Sequence, residues 1–214
     1  MLINRLKKRS YQHFMRFKFL SRRNVFITCV LLITAITFIL CFGAISDTKA
    51  NQSGSNKIKI LLDAGHGGYD GGAIGVNTGV KESDINLEVV RKLEKHLISV
   101  GFSVVLTRNS DAGLYGVATS NLKQKDMQKR KELIEKNNPD LVVSIHMNKF
   151  SLSTRRGAQT FYKDGDENGI TLAKSIQSSL NGMKECVKKS EALKGDYYIL
   201  NCTSIPSVIV ECGF

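Results

Sequence analysis

Four residues have the types and placement for hydrolytic chemistry: His66 in LLDAGHGG, Glu82 in KESDINL, His146 in VVSIHMN and Glu211 in VIVECGF. Each stands where a strand-like run gives out or a short way past it. Imidazole and carboxylate together are the ligand set of a hydrolytic zinc ion, which takes about three protein ligands and keeps one position open for water. Two neutral imidazoles and one carboxylate leave such an ion with a formal charge of about +1. A second glutamate, not bound to metal, would take the proton of the water and pass it to a departing nitrogen. Spacing does not say which glutamate is ligand and which is base. Glu211 carries weight of its own, because it follows Val208-Ile209-Val210, where an unpaired carboxylate is costly to hide. The other two histidines have plainer settings: His13 lies in a basic leader and His96 among the charged residues of a helix face.

The elements that must position these groups alternate along residues 57–214. Ile58 to Asp63 is a short apolar strand, and Asp84 to Val100 carries Ile85, Val89, Leu93 and Leu97 at helical spacing before Gly101. Phe102 to Thr107 predicts a second strand and Lys123 to Asn138 a second helix closed by Pro139. Leu141 to Ile145, Gly157 to Tyr162 and Ser207 to Val210 predict further strands, with a third helix over Asn168 to Met183. Alternation of this kind predicts an α/β domain, a mainly parallel mixed sheet covered by helices on both faces. Ligands of such sheets sit beyond the carboxyl ends of the strands, where His66, His146 and Glu211 fall. Glu82 is placed in the loop that opens at the same edge, so all four can meet in one cleft.

Other chemistries fit poorly. The stretch DAGHGGYDGGAIG lacks the GKS or GKT ending of a nucleotide loop, and a GxGxxG frame begun at Gly65 meets Asp70 where glycine is required. Its glycines instead let the backbone bend so that His66 reaches a metal. Ser144 has no oxyanion-loop signature beside it. Cys186, Cys202 and Cys212 show no CxxC spacing and are expected to be small apolar residues, with room for one disulfide.

The formal charge of +12 is concentrated at one end. Residues 1–24 hold eight basic side chains and no acidic one, which leaves 23 basic against 19 acidic afterwards, an ordinary balance that excludes a nucleic-acid role. Lys123, Lys125, Lys129, Arg130 and Lys131 are expected to form a solvated helix face. An uncharged run over 25–45 would span ~31 Å as a helix, about the thickness of a bilayer core. The basic leader then stays in the cytoplasm and the rest of the chain lies outside, as a membrane-anchored or exported domain. A cleaved signal peptide is the competing reading, and Leu40 before Cys41 argues against a lipoprotein. Residues 46–56 form a polar linker whose ends lie ~18 Å apart as a coil, keeping the domain at 57–214 near the membrane.

From Lys57 to Phe214 the chain resembles the zinc-dependent N-acetylmuramoyl-L-alanine amidases of bacterial cell wall. The resemblance is carried by ILLDAGHGG, GVKESDINL, VVLTR, the Arg130-to-Asn137 helix leading into LVVSIHMN, and PSVIVECGF. It implies His66, Glu82 and His146 as zinc ligands, Glu211 as catalytic base, and peptidoglycan as substrate. Within the family the chain looks most like the spore-cortex amidases of endospore formers, which remove stem peptides ahead of muramic-δ-lactam formation. Only Asn148 to Arg156 separates SIHM from the next strand, so no built-in inhibitory helix is expected and control falls to something else, such as an activating envelope protein. A zinc peptidase of stem peptides and a non-catalytic wall-binding protein are the rival functions. Ser83 stands where relatives commonly place lysine. The family continues past the position of Phe214 through a loop and closing helix, which predicts a truncated form of reduced stability with apolar surface exposed at Val208 and Val210 or their neighbours.

Overall fold

A computed structural model describes residues 57–148, 156–184, 186 and 188–213. The sheet is built of β1 (Lys59–Ala64), β2 (Ser103–Leu106), β3 (Leu141–His146), β4 (Gln159–Tyr162), β5 (Leu193–Lys194) and β6 (Ser207–Glu211). Between them lie α1 (Glu82–Ser99), α2 (Leu122–Asn137), α3 (Glu167–Asn181) and a single turn, α4 (Tyr198–Asn201). The strands run in the order β2-β1-β3-β6-β4-β5. The four from β2 to β6 are mutually parallel, while β4 pairs antiparallel with β6 and parallel with β5.

Both faces of the central strands are apolar because helices cover both. On one face Leu62, Ala64, Val143, Ile145, Val208 and Val210 pack with Leu87 and Val90 of α1 and Ala173 of α3. On the other, Leu61, Val142 and Ile209 pack with Ile134 of α2 and Ile199 and Leu200 of α4. Helix ends follow local chemistry. The N–H of Asn138, in the left-handed region, returns to Ile134 O at 2.9 Å, and Pro139 prevents continuation of α2. The Asp166 carboxylate caps α3 by accepting from Gly169 N at 3.0 Å.

Several expectations change. Glu82 is the first residue of α1 rather than part of a loop, and His146 and Glu211 end their strands rather than follow them. Val208 and Val210 are buried, not exposed, because β6 lies inside the sheet between β3 and β4 with α3 against it. Arg130 is buried at 2% exposure instead of joining the solvated lysines of α2. Neither β5 nor α4 is foreseen by periodicity, being too short to show any. Cys186, Cys202 and Cys212 are free thiols. The basic leader, the anchor or signal run and the linker lie outside the described residues, as do residues 149–155 of the short connection after SIHM. Among the described residues no helix is long and apolar enough to cross a membrane.

Candidate metal centre

Strand pairing sets the site. In the register of β3 against β6, His146 is the direct partner of Glu211. Both belong to the alternation that faces α2 and α4, at the carboxyl edge of the sheet. His66 follows β1 at the same edge with φ +63°, a left-handed conformation uncommon for a residue bearing a side chain. Glu82 reaches in from the first turn of α1. These elements line a cleft of about 1300 Å³ that contains all four residues.

Inside it, one oxygen of Glu82 collects both imidazoles. Glu82 Oε1 lies 3.2 Å from His66 Nε2 and 3.1 Å from His146 Nδ1, and the three donor atoms are within 4.8 Å of one another. Met147 N and Ala73 N donate to the two Glu82 oxygens at 3.1 and 2.8 Å. Burial alone would raise the Glu82 carboxyl, but hydrogen bonding to His146, His66 and the Ala73 amide overrides it and holds the group well below the usual carboxylate range. Glu82 is therefore an anion at any ordinary pH. His66 Nδ1 faces the Asp70 carboxylate at 2.9 Å, although not aligned as a hydrogen bond. A carboxylate behind a ligand imidazole fixes ring orientation and raises its basicity.

Glu211 differs. It is 8% exposed, and among the described residues its Oε2 has no hydrogen-bond partner. Burial pushes its carboxyl up, against the opposing pull of His146. A buried acceptor left without a donor, next to two imidazoles and an anionic carboxylate at metal-ligand spacing, suits a site completed by a cation and water. Two glycines make room: a Cβ on Gly65 would fall 2.3 Å from the His146 ring, and one on Gly72 would fall 2.6 Å from Glu82 Oε2. Cys212, next to Glu211, is pushed up to about 11 by burial, which leaves it a thiol and a poor nucleophile.

Beneath the cluster is a charged support that sequence reasoning passed over. Asp63 accepts from Arg130, from Thr107 Oγ1 at 2.7 Å and from Ser144 Oγ at 2.6 Å, which gives Ser144 a structural partner. Arg130 also donates to Asp126 Oδ2 at 2.7 Å and to His66 O at 2.8 Å. Burial would raise the Asp63 carboxyl and lower the Arg130 guanidinium, but each holds the other charged, so Asp63 titrates below and Arg130 above its ordinary value. The one hint in the sequence was Asp126 four residues before Arg130, a pair on one helix face.

Comparison with known proteins agrees with this geometry. Residues 60–214 match the N-acetylmuramoyl-L-alanine amidase family. The germination-specific N-acetylmuramoyl-L-alanine amidase of Bacillus subtilis is 36% identical over 164 residues, 75% of this chain and 68% of the relative. The amidase LytC of the same organism is 30% identical over 80% of this chain and 32% of its own length. Among solved structures, the CwlD amidase of Clostridioides difficile in complex with the GerS lipoprotein superposes with a TM-score of 0.71 at 39% identity, covering 74% of this chain and 83% of that one. The chain belongs to the N-acetylmuramoyl-L-alanine amidase family. It is a peptidoglycan hydrolase of the cell wall.

Proposed function

We propose that this protein binds one zinc ion through His66, Glu82 and His146 and hydrolyses the amide between N-acetylmuramic acid and L-alanine, with Glu211 as the catalytic base. The observation that carries this is the approach of His66 Nε2 and His146 Nδ1 to one buried, anionic glutamate beside a second glutamate with a raised carboxyl. Zinc bound there supplies Lewis acidity, polarising the amide carbonyl and lowering the pKa of water toward neutrality. Glu211 Oε2, free of competing donors among the described residues, accepts a proton from the attacking water and returns it to the L-alanine nitrogen as the C–N bond breaks. Its raised carboxyl brings it nearer the operating pH than an exposed glutamate. Glu82 stays charged throughout and balances the cation.

The spore cortex is the setting supported by the germination-specific relative and the CwlD neighbour. The complex of that neighbour with a lipoprotein supports an envelope lipoprotein as activating partner. The basic leader and the apolar run over 25–45 support tethering or export, with the catalytic domain outside the cytoplasm. Mass spectrometry of purified peptidoglycan after incubation with zinc-loaded protein tests the reaction. New L-alanine amino termini with intact glycan are expected. Cleavage inside the stem peptide would establish the peptidase instead, and no new termini would leave a wall-binding protein.

A further inference from the structure

We infer that Arg108, helped by Asn86, is a positioning residue that ties the backbone carrying His66 to the helix turn carrying Glu82 and so sets the spacing of two metal ligands. The inference rests on the zinc reading above. Arg108 is 5% exposed, yet among the described residues no carboxylate lies within ion-pair distance of it. Its guanidinium is committed to backbone carbonyls: Nε donates to Ala64 O at 2.9 Å, Nη2 to Gly65 O at 3.0 Å and to Ser83 O at 2.8 Å, and Nη1 to Ser110 O at 2.9 Å. One nitrogen thus bridges the residue before His66 and the residue after Glu82. Asn86 makes a second bridge between the same two places, donating to Gly65 O at 3.2 Å and to Glu82 Oε1 at 3.4 Å.

A buried cation is costly to desolvate, and a carboxylate partner is its usual compensation. Here the donors are spent on main-chain carbonyls at the end of β1, in the turn before His66, in the first turn of α1 and at Ser110. β1 ends at Ala64 and the chain turns through a left-handed His66, and the carbonyls of Ala64, Gly65 and His66 accept from arginine side chains. Gly67, at φ +136°, packs where a side chain would meet Arg108 Nε at 3.0 Å. The planar fork reaches carbonyls in several directions at fixed angles, which the single ammonium of lysine cannot do.

The test is zinc affinity, measured on the full chain by competition with a chromophoric chelator, together with the visible spectrum of the cobalt-substituted protein. Arg108→Lys keeps the charge but not the fork. It is expected to weaken zinc about 10- to 100-fold and to alter the cobalt spectrum, while circular dichroism remains that of the folded protein. A folded Arg108→Lys with wild-type affinity and spectrum overturns the inference. Should that variant not fold, Asn86→Ala decides: a loss of affinity upholds the tie and wild-type affinity overturns it. Failure of the wild-type protein itself to bind zinc would be a failure of the zinc reading, distinguishable because it appears before any variant is made.

Discussion

Glu82 and Glu211 are the same side chain at the same edge of one sheet, and their surroundings drive their carboxyls apart. Hydrogen bonds hold Glu82 low, while burial without a donor to Oε2 pushes Glu211 up. Such divergence is how two like groups take different roles in one site. Glu211→Gln is expected to lower turnover by about 10²- to 10⁴-fold with zinc content unchanged, measured by amide hydrolysis and metal analysis on one preparation. The same variant is expected to raise the melting temperature of the metal-free protein, since it removes a buried charge that the pull of His146 and His66 offsets only in part. A lower melting temperature would place Glu211 among the stabilising residues instead. Gly65→Ala, whose methyl would overlap the His146 ring, is expected to lose zinc affinity, as titration against a chelator would show.

At the scale of elements, Asp63 on β1 and Arg130 on α2 lock strand to helix under the His66 loop. Asp63→Asn leaves the buried Arg130 guanidinium with Asp126 as its one carboxylate partner among the described residues and is expected to cost about 3 kcal/mol in urea denaturation at pH 7. The pH dependence has a definite sign. Because the folded carboxyl titrates below the ordinary 3.8, its stabilisation is complete above that value and drains away as the pH falls beneath it. The gap between wild type and Asp63→Asn should therefore hold from pH 7 to about pH 4 and narrow below that, and a gap that stays constant into the acid range would contradict the ion pair. This lock shows why the sequence could be read only so far. Strands β1, β3 and β6 and helices α1 and α3 announce themselves through apolar runs and four-residue spacing, α2 by a run of helix-forming residues closed by Pro139, and the site residues stand at the ends of these elements. Arg130 gives no such signal. It sits among lysines, and only the crossing of α2 over the end of β1 shows which cation on that helix is buried. Glu82 was misplaced because α1 starts two residues before the expected Asp84, and it begins without a side-chain cap to mark it.

Over the molecule as a whole, a parallel β1-β3-β6 core delivers three chain segments to one edge, and α1 supplies the fourth group from the side. The segments are distant in sequence, so the metal is expected to act as a crosslink as well as a reagent. Removing it with a chelator should abolish hydrolysis and lower the melting temperature, and zinc alone should restore both. The tightest examination of the centre is diffraction from zinc-loaded crystals recorded on both sides of the zinc absorption edge. One anomalous peak is expected between His66 Nε2, Glu82 Oε1 and His146 Nδ1, with Glu211 beside it and not bound to it. Full hydrolytic activity in crystals or solution without a peak at that point, or a peak held by other residues, would contradict the zinc amidase.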